Sequence, residues 1–247
     1  MVTGPVSSAP PLFSVRSSRR VFDGAVTAVR IDEVVMPDGQ TASREVVEHD
    51  LAVAVVALDT GEDTGEDTAD DTADTVDPPA PAAGIILIEQ YRHPLRRRLW
   101  ELPAGLMDVD REPAQEAAAR ELIEETGYAA AEWSVLLDVA TSPGFSEEVV
   151  RIFLARGLTR VGRPRPGQHE EAELRVVRVP LATAVRAVLD GRIVNVMAVA
   201  GILAAERTLR EGPVARRVDP SAGDLPWPAH TEPEVPQAPP LEGSQDR

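Results

Sequence analysis

The sequence predicts an α+β fold, in which helices cover both faces of a mixed β-sheet as an α/β/α sandwich. Strand-length apolar runs occur beside segments with helical spacing, but strands and helices do not alternate regularly, which argues against a repeated βαβ fold. The chain has 247 residues, of which 43% are hydrophobic. It is therefore long enough for one large domain with a substantial core.

The composition excludes several classes of chemistry. The chain has no cysteine, and its 25 basic residues are all arginine. Thiol catalysis, disulfides, Schiff-base formation and a P-loop lysine are therefore excluded. The N-terminus lacks the pattern of a signal peptide, and no apolar run reaches the roughly 18 residues of a membrane span. We expect a soluble cytoplasmic protein without a membrane partner.

The formal net charge of -16 is concentrated in one segment. Eight acidic residues and no basic residue lie between positions 62 and 77. This composition is typical of a solvated disordered insert, which we place at residues 60–83. No basic stripe with interleaved aromatic residues occurs, so we expect no nucleic-acid partner.

The domain boundaries follow from composition. Residues 1–18 are rich in Ser and Pro, and residues 213–247 are rich in Pro and polar residues, so both are predicted to be disordered tails. The domain between them spans residues 19–212. Its first part, residues 19–50, alternates apolar and polar residues around Pro37-Asp38-Gly39, which predicts a β-hairpin region.

The remaining elements follow in chain order. Nearly continuous apolar runs predict two buried strands on either side of the insert. Later segments read as three strands and then two helices that end at glycine. The predicted strands are 51–58, 84–93, 133–141, 148–158 and 174–180, and the predicted helices are 181–191 and 194–212.

A further helix begins after Pro113 and ends at Gly127, in the stretch "GLMDVDREPAQEAAARELIEETGY". At about 100° per residue, Glu121, Glu124 and Glu125 share one arc of this helix. We expect the neighbouring arc to pack against the sheet. That arc is formed by Ala118, Ala119, Leu122 and Ile123.

Carboxylates at this spacing repel one another by roughly 3 kcal/mol per pair at an effective dielectric constant near 20. Arg120 can neutralise one of them through a forked ion pair. A hard divalent cation with oxygen ligands can neutralise the others, and Mg²⁺ is the ion expected, with Mn²⁺ as the alternative. For an isolated run of glutamates, a solvated helix face is the competing interpretation.

The spacing of these residues resembles the Nudix box, the loop-helix-loop signature GX5EX7REUXEEXGU, in which U is a bulky apolar residue. From Glu112, seven residues lead to Arg120-Glu121, and Glu124-Glu125, Gly127 and Tyr128 follow in register. One departure is that six residues, not five, separate Gly105 from Glu112. The resemblance implies a Nudix fold and a hydrolase of nucleoside diphosphates linked to another moiety.

Three further stretches resemble the ADP-ribose pyrophosphatase branch, especially its actinobacterial members: "SREVVEH" (43–49), "YRHPLRRRLWELPAGL" (91–106) and "TSPGFSEE" (141–148). The resemblance implies Mg²⁺-dependent hydrolysis of ADP-ribose to AMP and ribose 5-phosphate by water attack. It also implies a set of metal ligands and an arginine, Arg120, that orients the carboxylates. The implied ligands are Glu121, Glu125, the backbone carbonyl of Ala104 and, in addition, Glu124.

The same resemblance implies the remaining site residues. The general base is expected in the loop "GQHEEAELRV", with Glu171 as first choice and Glu170 as second. Arg44 and Glu45 match residues that reach the substrate from the partner subunit of a homodimer with domain-swapped N-terminal strands. Arg92 and Glu147 match residues that contact the terminal ribose or the diphosphate.

Alternatives remain at each level. Arg44 and Arg92 could instead form salt bridges on the sheet surface, and the arginines at 96–98 are expected to be solvated, with phosphate steering as the alternative. The enzyme could act more broadly on nucleoside diphosphate sugars. It could also be a catalytically silent module that binds a nucleotide, although such a module has no need of clustered carboxylates.

Overall fold

The computed structural model of the chain describes residues 13–61, 82–109, 112–164, 174–212 and 216–217. The tails predicted from composition lie largely beyond these ranges, as do residues 62–81 of the predicted insert. Glu170 and Glu171, the predicted general bases, also lie outside the described residues. The chain divides into two compact units.

The smaller unit contains residues 13–49 and 142–148 among those described. Its sheet is an antiparallel meander of β1 (Ser14–Asp23), β2 (Ala28–Val35) and β3 (Thr41–Glu48), in that order. The predicted hairpin at Pro37-Asp38-Gly39 is confirmed. It is closed by hydrogen bonds between Met36 and the residues Gln40 and Gly39, and Gly39 adopts a φ of 82°.

The predicted end of the N-terminal tail at residue 18 is too late, because β1 already begins at Ser14. The first residues of this strand are mostly polar, which is why an apolar pattern did not reveal them, and their side chains add contacts to the backbone pairing with β2. Ser18 Oγ donates a hydrogen bond to Asp32 Oδ1 on β2 at 2.6 Å, and Arg20 forms an ion pair with Glu48 on β3.

The segment 142–148 belongs to the same unit because it binds β3 along its edge. The Val47 N–H donates to Phe145 O at 2.7 Å, and the Glu147 N–H donates to Val47 O at 3.3 Å. Arg30 on β2 adds an ion pair from its Nη1 to Glu147 Oε2 at 2.9 Å.

The larger unit is built on a mixed sheet with the strand order β10-β5-β4-β9-β8-β11, with β6 paired to β5 and β7 paired to β4. Its central pair, β4 and β9, is parallel, and the other pairs are antiparallel. A short 3-10 helix, His93–Leu95, joins β5 to β6. The strands are β4 (Ala52–Asp59), β5 (Gly84–Arg92), β6 (Arg97–Glu101), β7 (Ala104–Leu106), β8 (Tyr128–Ala140), β9 (Val149–Arg160), β10 (Arg175–Pro180) and β11 (Arg216–Arg217).

Within the described residues, three α-helices cover this sheet: α1 (Ala114–Thr126), α2 (Leu181–Leu189) and α3 (Val196–Glu211). Side chains alternate along β4, so Val53 and Val55 pack with α1 while Ala54 and Val56 pack with α2 and α3. The sheet therefore lies between helical layers. The predicted α+β fold with an α/β/α sandwich is confirmed. No helix within the described ranges is both long enough and apolar enough to cross a membrane.

The packed face of α1 differs from the predicted one. The helix buries Ala114, Ala117, Ala118 and Leu122, and also Glu125, which is only 7% exposed. Ala119 and Ile123 are half-buried. The buried face is therefore centred closer to the carboxylates than apolar spacing indicated, because alanines let the helix approach the sheet and because Glu125 finds a partner there.

Candidate active site

Glu125 lies at the packed side of α1, next to β7. Its Oε2 accepts a hydrogen bond from the Ala104 N–H at 2.9 Å. A buried carboxylate needs such donors, since an unpaired charge away from water is strongly unfavourable. The bond joins two of the predicted metal ligands, the Glu125 side chain and the Ala104 backbone.

Gly105 explains how Glu121 reaches the same place. A Cβ built on Gly105 would lie 2.6 Å from Glu121 Cγ and closer still to its carboxyl group. Any side chain at this position would therefore displace the Glu121 carboxylate. The glycine is needed for this close approach between β7 and α1. The longer loop between Gly105 and Glu112 has not moved the glycine away from the helix.

Arg120 lies among four carboxylates, of which Asp108 is the most distant, with its Oδ1 3.8 Å from Arg120 Nη2. It binds Glu112 through a fork, Nε to Oε1 at 3.1 Å and Nη2 to Oε2 at 3.0 Å. Its Nη1 contacts Glu121 Oε1 at 2.6 Å and Glu124 Oε2 at 3.4 Å. The hydrogen bonds that Arg120 donates to Glu112, together with the negative charge of Glu121, raise the pKa of Arg120 despite its partial burial. That Arg120 orients the carboxylates during catalysis stays a prediction.

The donor set at α1 fits a magnesium ion in its chemistry, because it offers only hard oxygen ligands. Glu124 is the outermost, with its side chain 50% exposed. Within the part of the chain that the structure describes, no three acidic or histidine side chains converge as a metal cage. Arg120 instead supplies positive charge to Glu121 and Glu124.

Arg92 lies at the end of β5 and forms a salt bridge, but its partner is a buried carboxylate and not a group on the sheet surface, as the alternative prediction had it. Its Nε and Nη2 donate to Glu101 Oε1 and Oε2 at 2.9 and 2.7 Å. Glu101 is fully buried, whereas the Arg92 side chain is 40% exposed. The ion pair does not remove Arg92 from solvent, so the predicted contact with the terminal ribose or the diphosphate remains open to this side chain.

The other predicted substrate contacts lie in the smaller unit. Arg44 and Glu45 are exposed on β3, and Arg44 Nη1 donates to the carbonyl of Ser43 at 2.9 Å. Glu147 pairs with Arg30. The structure thus brings Ala104, Glu121, Glu124, Glu125 and Arg120 together in the larger unit, with Arg92 in the same unit. The segment that contains Glu170 and Glu171 is not among the described residues.

Two residues of this site received no role from the sequence. Glu112 was recognised only as a position of the motif, although it is the main partner of Arg120. Glu101 has no predicted role, although it lies within the stretch 91–106. A signal for Glu101 exists in the alternation of β6, since it continues the buried face begun by Leu99 and is therefore a carboxylate at a core position.

Comparison with known proteins agrees with this geometry. The pattern of the NUDIX domain matches residues 78–197. The ADP-ribose pyrophosphatase of Mycobacterium tuberculosis is 47% identical over 78% of this chain and 82% of its own. The ADP-ribose pyrophosphatase of Bacillus subtilis is 34% identical over 70% of this chain and 80% of its own.

A solved structure described as an ADP compounds hydrolase superposes with a TM-score of 0.63 over 83% of this chain and 97% of that chain. At 20% identity this likeness shows the fold alone. The identity to the mycobacterial protein, the match of the domain pattern and the arrangement of β7 and α1 lead to one conclusion. The chain belongs to the Nudix family of hydrolases.

Proposed function

We propose that the protein hydrolyses the diphosphate bond of ADP-ribose and releases AMP and ribose 5-phosphate. The observation that carries this proposal is the close placement of Glu125 and Glu121 against Ala104 and Gly105. It gathers negative charge where a divalent cation can join the protein to an anionic diphosphate. Two similar proteins named ADP-ribose pyrophosphatase support the choice of substrate.

Glu121, Glu124, Glu125 and the carbonyl of Ala104 would hold magnesium, with manganese as the alternative ion. Magnesium, when bound, supplies positive charge that offsets the charge of the diphosphate and makes phosphorus more electrophilic. Arg120 positions the carboxylates and lowers their mutual repulsion when the ion is absent.

In the proposed reaction, the oxygen of a water molecule forms a bond to one phosphorus atom, and the bond from that phosphorus to the bridging oxygen breaks. Glu171, or as second candidate Glu170, takes the proton of the attacking water. The leaving phosphate monoester departs with the bonding electron pair. Arg92 and Glu147 would contact the diphosphate or the terminal ribose, which fixes the substrate for in-line attack.

We also propose a homodimer in which N-terminal strands are exchanged and Arg44 and Glu45 act in the partner's site. Both side chains are exposed on β3, and β1 carries exposed apolar side chains such as Val21 and Phe22. Complementation tests this proposal. Co-expressed Arg44→Ala and Glu125→Gln chains should regain activity, because a mixed dimer contains one intact site. If Arg44 acts within its own chain, no activity returns.

The experiment that tests the proposed activity is a substrate panel with and without Mg²⁺. ADP-ribose, UDP-glucose and GDP-mannose would be incubated with the enzyme, and the nucleoside monophosphates separated and measured. We expect Mg²⁺-dependent AMP formation from ADP-ribose at the highest kcat/KM. Comparable rates on all three sugars would indicate the broader hydrolase, and no product with any of them would indicate a silent nucleotide-binding module.

A further inference from the structure

The ion pair between Arg92 and Glu101 joins residues that are not opposite each other in the sheet. In the antiparallel pairing of β5 with β6, Glu101 is opposite Ile88, and Arg92 is opposite Arg97. The fork from Arg92 Nε and Nη2 to the two Glu101 oxygens therefore requires the arginine side chain to lie back along the sheet. This is a specific orientation of Arg92, one that strand pairing alone does not produce.

Glu101 and Arg92 differ in burial, and the difference indicates which side chain fixes the position of the other. Glu101 is 0% exposed, and the Arg92 side chain is 40% exposed. A fully buried carboxylate must keep a cationic partner, because an uncompensated buried charge is strongly destabilising. Two parallel hydrogen bonds also fix the plane of a guanidinium group, whereas a single bond leaves it free to turn. Glu101 thus anchors Arg92, and part of the arginine remains accessible.

Glu101 is also the first residue of the segment 101–105, which contacts two carboxylates of the candidate metal site. Pro103 O accepts a hydrogen bond from the Val55 N–H at 2.8 Å, which fixes the segment on β4. Ala104 then donates to Glu125, and Gly105 faces Glu121. Residues 101–105 therefore hold the exposed arginine at one end and two carboxylates of the candidate metal site at the other.

We infer that Glu101 is a positioning residue, which holds the Arg92 guanidinium in the orientation that receives an anionic oxygen of the diphosphate substrate. This inference rests on the proposed function. Fixing the arginine before substrate arrives removes the entropic cost of ordering a long side chain on binding. The effect acts on substrate binding, so it should be visible in KM.

The test compares Glu101→Gln with a matched control, Glu89→Gln, in steady-state kinetics on ADP-ribose. Glutamine keeps the size of the side chain but removes its charge and one of the two acceptors of the fork. We expect KM to rise by about tenfold, the scale of losing one charge-assisted contact, with kcat within about threefold of the wild type. The Mg²⁺ concentration for half-maximal activity should not change. Glu89 is opposite Trp100, whereas Glu101 is opposite Ile88, so alternation of side chains places Glu89 on the other face of the sheet from Glu101. Glu89→Gln should therefore keep the wild-type KM.

A double-mutant comparison tells positioning apart from general loss of packing. Arg92→Lys cannot form the fork and should raise KM to a similar extent. The double variant Arg92→Lys with Glu101→Gln should be no worse than the poorer single variant, because both changes remove the same contact. If Glu101→Gln does not fold, Glu101→Asp takes its place. Aspartate keeps the buried charge, but its side chain is one methylene shorter, so the guanidinium of Arg92 would be pulled back. The same rise in KM is expected.

An unchanged KM together with a lower melting temperature would overturn the inference, since the pair would then be structural only. Additive effects in the double variant would overturn it as well. Failure of the proposed function gives a different result, namely a wild type that does not hydrolyse ADP-ribose. In that case calorimetric titration with inorganic pyrophosphate decides the matter. Weaker binding by Glu101→Gln than by the wild type supports the inference, and equal binding contradicts it.

Discussion

At the scale of single residues, Arg120 determines how the acidic side chains that it binds, Glu112, Glu121 and Glu124, can coexist in one small region. Each close carboxylate pair costs roughly 3 kcal/mol at an effective dielectric constant near 20, and one guanidinium at hydrogen-bond distance offsets repulsion of that size. The pKa of Arg120 is raised from an already high value, so its contribution to stability is present at every pH below the unfolded value. It is lost only at extreme alkaline pH. A change of activity with pH near neutrality therefore reports other groups.

Glu125→Gln should remove activity without unfolding the protein. The amide oxygen of glutamine can still accept the hydrogen bond from the Ala104 N–H, so the buried contact persists. The charge of a proposed metal ligand is lost, and turnover should fall by about 10²-fold or more, as when one electrostatic stabiliser of a transition state is removed. Steady-state kinetics and thermal melting would be measured together. Turnover within about threefold of the wild type would show that Glu125 does not bind the ion.

Glu171→Gln should lower kcat by about 10²- to 10⁴-fold with little change in KM, because a general base acts on the water and not on substrate binding. Glu170→Gln should have a milder effect, since we expect only one of the two adjacent side chains to face the diphosphate. Both variants would be assayed on ADP-ribose at saturating Mg²⁺, with metal affinity titrated separately. A reversed order of severity would move the base to Glu170, and two active variants would exclude both.

At the scale of elements, α1 shows what sequence reasoning captures and what it misses. Its ends were predictable, because Pro113 suits the first turn and Gly127 adopts the left-handed φ of 76° that ends the helix. Its buried face was not predictable, because apolar periodicity assigns every glutamate to the solvent-facing side of the helix. Glu125 is buried instead, since it accepts a hydrogen bond from a backbone N–H that only the folded chain brings near. The fork between Arg92 and Glu101 was equally hidden, because 25 basic and 41 acidic residues allow very many pairings.

Helix α3 packs through Gly201 against the sheet, and we expect Gly201→Ala to destabilise the protein. A Cβ at this position would lie 2.8 Å from Leu102 Cδ1 and 2.9 Å from Val56 Cγ2, and both side chains are fully buried. Better helix propensity contributes up to about 1 kcal/mol, but overpacking costs typically 1 to 3 kcal/mol. The net loss should lower the melting temperature by a few degrees.

Gly144→Ala is the matched control for this substitution, because a Cβ there meets no atom within 4 Å. Its melting temperature should equal or slightly exceed that of the wild type, as for glycines in ordinary loop conformations. A Gly201→Ala variant that melts at or above the wild-type temperature would show that α3 can shift away from Leu102 and Val56 at little cost.

At the scale of the whole molecule, β4 and β5 of the larger unit are paired up to the residues that bound the predicted acidic insert, residues 60–83. Asp59 on β4 is paired with Gly84 on β5, next to the pair of Leu58 with Ile85. Arg178 on β10 forms an ion pair with Asp59 and donates to the carbonyl of Ala82 at 2.9 Å. The two ends of the connection are therefore held together by side chains of the sheet itself.

Deletion of residues 62–81 should consequently leave kcat and KM nearly unchanged and should not lower the melting temperature. The deletion leaves a short hairpin loop between β4 and β5, of a length common in hairpins. Loop closure depends weakly on length, and this shortening favours folding by roughly 1.5 kcal/mol. Arg178→Ala provides the contrast, because it leaves the buried Asp59 without this partner and should lower the melting temperature with or without the deletion. A large loss of turnover on deletion would show that the acidic segment takes part in the reaction.

The parallel pair at the centre of the larger sheet has a consequence for how the chain reaches its folded state. Ala52 on β4 pairs with Val150 on β9, which follows it by about a hundred residues, and such distant contacts slow folding. During synthesis, β4 cannot pair with β9 until β9 has left the ribosome. The apolar side chains of β4 therefore lack this neighbour until most of the chain has been made. A chain that stops before residue 149 lacks β9, and it should be recovered as an aggregating or chaperone-bound species.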